Sequence, residues 1–286
     1  METKELNADL KAWVDLQLGR DSELAKMFEV PIELVMDWLA GRRVPTPEQQ
    51  SIIRRMLAME KTFRCAHPVF EDLDQDGLAY LFSGSSFVIE FENRLFLITA
   101  KHVRELIMNS TAVRIWVGGH YSLPFNRESI PQSLEPEADF VILEIDQDSL
   151  VDDQRSKLYP IRIERKVAMA LGKVLAGAKV AMHGFPKELS QIKYGAEKIT
   201  PKGYSVDALY DSVETTSGLH RVRFFGVERP VKDHEGMSGS PWIIERCSFP
   251  EWDCALVGLH VRGNQEIALF IGVDLLLAAL MKVVAS

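Results

Sequence analysis

Residues 234–244 read HEGMSGSPWII. Ser238 lies among small residues: Gly236 two places before it, Gly239 and Ser240 directly after it, then a proline that opens an apolar run. Such a stretch serves either a plain turn entering a strand, or a bend that presents a nucleophilic hydroxyl beside backbone N–H groups aimed at a reacting carbonyl. The second reading needs help from elsewhere, because a serine hydroxyl is a weak nucleophile at neutral pH without a base. Two other stretches carry residues of suitable type: His102 in ITAKHV, and Asp139 in EADFVILEI. His102 and Asp139 lie 37 residues apart and Asp139 and Ser238 lie 99 apart, so only a fold can bring the three together. Each alone also has a plain structural role, His102 as a helix cap, Asp139 as a strand-end turn residue and Ser238 as a turn serine.

The elements that would position them are legible in the texture of the chain. From about residue 78, short apolar runs recur between turn residues, among them SSFVIEF, RLFLITA, DFVILEI, HRVRFFGV, SPWIIER, CALVGLHV and IALFIGV. That spacing predicts an all-β barrel or sandwich. SGSSFVIEFENRLFLITAKHV predicts a hairpin turning at ENR, followed by a bend that carries His102. VDLLLAALMKVVA predicts a C-terminal helix with an apolar stripe. Residues 1–61 have helical periodicity instead. Between the two regions, FRCAHPVFEDLDQDG is rich in acids and reads as a linker over 62–77. Three segments follow: 1–61 helical, 62–77 linker, 78–286 β-rich.

Composition bounds the function. Of 286 residues, 47% are hydrophobic and 26% charged, an ordinary globular balance. A net charge of −8 argues against a surface that binds nucleic acid throughout, though it leaves room for a local basic face. No apolar run reaches the roughly 18 residues a membrane helix needs. The start, METKELNADLKAW, is acidic and polar, unlike a secretion signal. Cys65, Cys247 and Cys254 do not form a disulfide framework and are read as reduced thiols. A cytoplasmic protein without a membrane partner is the expectation. DLDQDG lacks the terminal glutamate of a calcium loop, and no zinc, phosphate-loop or other cofactor motif is present.

Taken in order, TAKHV, the strand opened by Asp139, and GMSGSP resemble the His, Asp and Ser motifs of trypsin/chymotrypsin-like serine proteases, over about residues 78–286. The plain GMSGSP is most similar to the bacterial, glutamyl-endopeptidase-like branch. The resemblance implies a double β-barrel with a C-terminal helix and peptide or protein substrates. It implies His102 as the base that takes the serine proton and returns it to the leaving amine, with Asp139 holding the imidazole tautomer. The N–H groups of Gly236 and Ser238 would form the oxyanion hole. His260, Val261 and Arg262 in LHVRG would pair with the substrate backbone and wall the specificity pocket. His260 with Arg262 could then form a cationic pocket for an acidic side chain; the alternative is a packed His260 and a solvated Arg262. Where the secreted zymogens have an Asp before the serine, this chain has Met237, so no activation by a freed N-terminus is expected.

SELAKMFEVPIELVMDWLAGRR, residues 22–43, is similar to the helix-turn-helix of Cro- and repressor-like domains, over about residues 4–61. Ser22 is placed as an N-cap, Ala25, Val30, Val35 and Trp38 as the shared core, and Gly41 as a helix end. The fold expected for the whole chain is thus multidomain α and β, a small all-α helix-turn-helix domain followed by a trypsin-like double barrel. Arg42 and Arg43 are the candidate DNA-binding residues. The turn position usually held by glycine is Glu29, and the would-be reading helix begins Pro31, Ile32, Glu33, without the polar and basic side chains that read bases. Residues 1–61 hold nine basic and eleven acidic side chains, a balance of −2, where DNA binding calls for neutralised phosphates. A DNA ligand and a protein partner both remain open, as does a regulator whose protease-like domain cleaves its own linker or does not turn over at all.

Overall fold

The computed structural model describes residues 3–15, 20–75, 78–107, 112–116, 120–131, 138–163, 174–193, 198–225, 234–248 and 251–286. They divide into two compact units: residues 1–62 with 245–254, and residues 63–244 with 255–286.

The smaller unit contains α1 (Thr3–Asp15), α2 (Arg20–Met27), α3 (Ile32–Leu39) and α4 (Pro47–Phe63). Leu6, Leu10, Trp13, Leu24, Val35, Trp38 and Ile53 form its buried core, with Ala25 and Val30 packed against it. Helix α2 begins at Arg20, ahead of Ser22, so Ser22 lies inside the first turn rather than capping it. Glu29 takes the left-handed conformation at φ 51°, and the Val30 N–H closes the turn on the Ala25 carbonyl at 2.9 Å. At the start of α4 the Gln49 N–H donates to Thr46 Oγ1 (3.3 Å) while the Thr46 N–H donates to Gln49 Oε1 (2.9 Å). That reciprocal capping box, followed by Pro47 in the first helical turn, sets the helix start.

In the larger unit the first six strands are β1 (Ala66–Gln75), β2 (Leu78–Phe91), β3 (Arg94–Thr99), β4 (Ala112–Trp116), β5 (His120–Ser129) and β6 (Val141–Ile145). They run β1-β4-β5-β6-β3-β2, and β1 pairs with β2 to close a barrel. Residues 62–77, expected as a linker, therefore carry a barrel strand. Its acids hid the signal, but Val69 and Phe70 are fully buried and pair with β2 and β4. Helices α5 (Lys101–Leu106) and α6 (Asp152–Lys157) and strand β7 (Ile161–Arg162), parallel to β2, complete this half.

A second closed barrel joins β8 (Lys179–Gly184), β11 (Tyr204–Val213), β12 (His220–Phe224), β13 (Pro241–Ser248), β14 (Glu251–Gly263) and β15 (Ile267–Gly272) in the order β11-β12-β15-β14-β13-β8. A separate ribbon pairs β9 (Gln191–Lys193) with β10 (Lys198–Thr200). Numbered within each barrel, both wind 1-2-3-6-5-4 and close back on 1. The repeated winding, with α7 (Val273–Ala285) following the last strand, is the trypsin-like double barrel.

The apolar runs read as continuous because three strands are buried on both faces. Along β2, Val88 points into the first barrel, whereas Phe87, Ile89 and Phe91 belong to the second cluster that packs on α7. On β3, Leu97 faces inward and Phe96 and Ile98 outward, and on β6 Val141 and Leu143 alternate with Ile142 in the same way. Helix α7 answers with Val273, Leu276, Leu277, Leu280 and Val283 on one stripe. Each such side chain contributes about 1.5–3 kcal/mol by burial. This shared layer holds the strands that carry the site residues in fixed register. No helix among the described residues is long and apolar enough to cross a membrane.

Candidate active site

The β2–β3 hairpin turns through Glu92 and Asn93, both at positive φ (50° and 62°). Two such residues match the twist of a two-residue hairpin. Strand β3 then delivers Ala100 as the N-cap of α5, and His102 falls in its first turn. Asp139 stands two residues before β6, anchored by fully buried Phe140 and Val141. The Asp139 carboxylate meets His102 twice. Its Oδ1 accepts the His102 backbone N–H at 3.1 Å, and its Oδ2 lies 2.5 Å from His102 Nδ1. A carboxylate only accepts, so Nδ1 carries a proton, and in the neutral ring Nε2 is the nitrogen with the free lone pair. The His102 side chain remains about half exposed.

Ser238 sits on the bend that enters β13. Gly236 and Gly239 both occupy the left-handed region, at φ 88° and 90°, where a side chain is strained. Between them Met237 turns inward and is buried in the core of the second barrel. Among the described residues, the N–H groups of Gly236 and Ser238 donate to nothing, while those of Met237 and Gly239 donate to the carbonyls of His234 and His260, each at 2.9 Å. The Ser238 hydroxyl donates to the Val261 carbonyl at 3.0 Å.

His102, Asp139 and Ser238 line one cavity of about 400 Å³, with Val261 and Arg262 on its wall. His234, Glu235 and Gly263, which nothing in the sequence marked, complete the lining. His260 does not line it. It is fully buried, 5.3 Å from the His234 ring and 6.2 Å from Trp242, and neither ring nitrogen has a hydrogen-bond partner among the described residues. Burial first, then the neighbouring His234 and His102, hold its pKa well below the ordinary histidine value. The ring is therefore neutral, which sets aside the cationic His260–Arg262 pair and leaves the other reading of the sequence, a packed His260. Its backbone matters more: the His260 carbonyl takes the Gly239 N–H, and its N–H donates to the Ser240 carbonyl at 2.8 Å, tying the bend to β14. Cys65 is a poor rival nucleophile, because complete burial pushes its thiol pKa far up.

In the smaller unit, Arg42 and Arg43 are exposed, and both face Asp37, at 2.7 and 3.6 Å.

No known protein family's profile matches the chain, and no curated protein matches it. Among solved structures it is similar to one titled "Kallikrein-related peptidase 10", at 12% identity and a TM-score of 0.48, over 79% of this chain and 97% of that one.

Proposed function

We propose that the chain is a serine endopeptidase that hydrolyses peptide bonds through an acyl-enzyme, with its helical unit serving to locate or restrain it. The observation that carries the reading is the doubly held Asp139–His102 pair opening on the same cavity as Ser238. Ser238 Oγ attacks the substrate carbonyl carbon as its proton passes to His102 Nε2. The carbonyl oxygen becomes an oxyanion, for which the Gly236 and Ser238 N–H groups are the available donors. Collapse of the tetrahedral intermediate breaks the C–N bond, and His102 returns the proton to the departing amine. Water then adds to the acyl-serine, giving its proton to His102, and collapse releases the acid and restores the hydroxyl.

At rest the Ser238 hydroxyl is engaged with Val261. A substrate adding as a strand along residues 260–262 brings its own N–H to that carbonyl and competes for it. Turning the hydroxyl towards His102 then exchanges one hydrogen bond for another, a net difference of about 0.5–1.5 kcal/mol at most.

Labelling with a fluorophosphonate probe tests the proposal. The folded wild-type chain is expected to take up one probe, located on Ser238 by peptide mapping. A folded chain that stays unlabelled with an extended peptide present to occupy the 260–262 edge would remove the reading.

For the helical unit we favour a protein partner over DNA. Asp37 offsets Arg42 and Arg43, and α3 exposes Ile32, Glu33 and Met36 where a reading helix would offer donors to bases. The full chain should show no salt-dependent retention on duplex DNA. An affinity whose logarithm falls linearly with the logarithm of salt concentration would overturn this.

A further inference from the structure

An oxyanion hole works only if its donors are held still before the charge appears. Along the bend, each peptide plane from Glu235 to Gly239 is pinned by a bond from outside that plane. The Glu235 carbonyl accepts the Lys187 N–H at 2.9 Å. The Gly236 carbonyl accepts the Ser85 hydroxyl at 2.8 Å. The Met237 carbonyl accepts the Ser240 N–H at 3.0 Å, and the Ser238 carbonyl accepts the Ser85 N–H at 2.9 Å. In a trans peptide the N–H points opposite to the C=O. Fixing the Glu235 and Met237 carbonyls therefore fixes the directions of the Gly236 and Ser238 N–H groups, the two left unengaged among the described residues.

One residue supplies two of these four bonds. Ser85 is fully buried on β2, 151 residues from the bend it holds. Its hydroxyl donates to Gly236 and accepts the Phe185 N–H at 3.0 Å, and its own carbonyl accepts Thr99 Oγ1 at 2.7 Å. A hydroxyl has one proton and two lone pairs, so donating to Gly236 while accepting from Phe185 commits its direction. Met237 is apolar and buried, so no ion pair holds the bend at that position.

We infer that Ser85 is a positioning residue whose hydroxyl and backbone N–H hold the Gly236–Met237 and Ser238–Gly239 planes, which alternate with the two donor planes, so that the bend stands with both oxyanion donors formed before substrate arrives, in place of an activating ion pair. This rests on the serine endopeptidase reading for its catalytic consequence, but the bend's order can be read without turnover.

Ser86 provides the control. It is equally buried on the same strand, and its hydroxyl donates to the His67 carbonyl at 3.1 Å, away from the bend. With the full chain, Ser85→Ala should lower kcat about 10- to 100-fold, less than outright loss of an oxyanion donor, with KM within about twofold. Ser86→Ala should change neither. Ser85→Cys, whose thiol donates weakly, should fall between. Amide hydrogen exchange supplies the second readout. The Met237 and Gly239 N–H groups should lose protection at least tenfold in Ser85→Ala relative to the β11 and β12 amides, and keep it in Ser86→Ala. Unchanged protection at Met237 and Gly239 in Ser85→Ala overturns the inference whatever the activity. Equal losses of kcat in Ser85→Ala and Ser86→Ala also overturn it, as a general packing effect. Selective loss of protection in a chain whose wild type neither labels nor hydrolyses would keep Ser85 as the holder of the bend and remove the endopeptidase reading instead.

Discussion

Ser238→Ala is expected to lower kcat for peptide hydrolysis by about a million-fold, and Asp139→Asn added to it should cost almost nothing more. Alone, Asp139→Asn should cost about ten-thousand-fold. The reason lies in how Asp139 is held. Its Oδ1 accepts the His102 backbone N–H, a bond that an asparagine amide nitrogen cannot replace. The asparagine oxygen must therefore stay on that side, which places its NH2 against His102 Nδ1. Nδ1 then has to accept, the ring proton moves to Nε2, and the nitrogen facing the cavity can no longer take a proton from Ser238. Fold and stability need not change. Once the Ser238 oxygen is gone there is no proton for His102 to take, so the second substitution has nothing left to remove. Kinetics of the two single variants and the double variant decide the matter. If the double variant loses a further ten-thousand-fold beyond Ser238→Ala, the groups do not act as one unit. If Ser238→Ala retains turnover, the mechanism is wrong.

Local signals made part of this legible from the sequence. The hairpin over SSFVIEFENRLFLITA, the strand after Asp139, the small-residue bend and the amphipathic C-terminal helix are all written in adjacent residues, and residues picked from three separate motifs line one cavity. What escaped depends on partners far along the chain. Strand β1 looked like a linker because its acids mask two buried residues, and only β2 and β4 make it a strand. That correction bears on function: a chain cleaving itself within 66–75 would have to draw a paired strand out of a closed barrel. His260 looked like a substrate contact because LHVRG lies on the right strand. His260 takes the inner face, and a bulge between His260 and Arg262 breaks the alternation of the strand, so that Val261 and Arg262 both reach the cavity wall. Ser85 carried no signal at all, since a serine in SGSSF gains meaning only from carbonyls some 150 residues away.

Gly239→Ala should abolish fluorophosphonate labelling, whereas Gly177→Ala should leave it intact. Both glycines are at positive φ, 90° and 84°, so both substitutions carry a backbone strain of about 1–2 kcal/mol. They differ in what a methyl group would meet. At Gly177 nothing lies within 4 Å, so strain is the whole cost. At Gly239 the new Cβ would fall 2.0 Å from the Ser85 carbonyl oxygen and 2.8 Å from Thr99 Oγ1. Neither can yield cheaply. That carbonyl is held by Thr99, and Ser85 on its other side holds the Ser238 and Gly236 carbonyls. Relief requires the bend to move away from β2, which breaks both Ser85 bonds to it and frees the Gly236–Met237 and Ser238–Gly239 peptide planes that flank the oxyanion donors. Gly239→Ala is therefore a steric counterpart of losing Ser85, with a larger effect because both bonds go together. Thermal melting and labelling of the two variants separate the causes: Gly177→Ala should melt slightly lower and label normally. A Gly239→Ala chain that folds and labels at the wild-type rate would mean the bend can shift without cost to the nucleophile, and the case for a rigid, preformed site would fail with it.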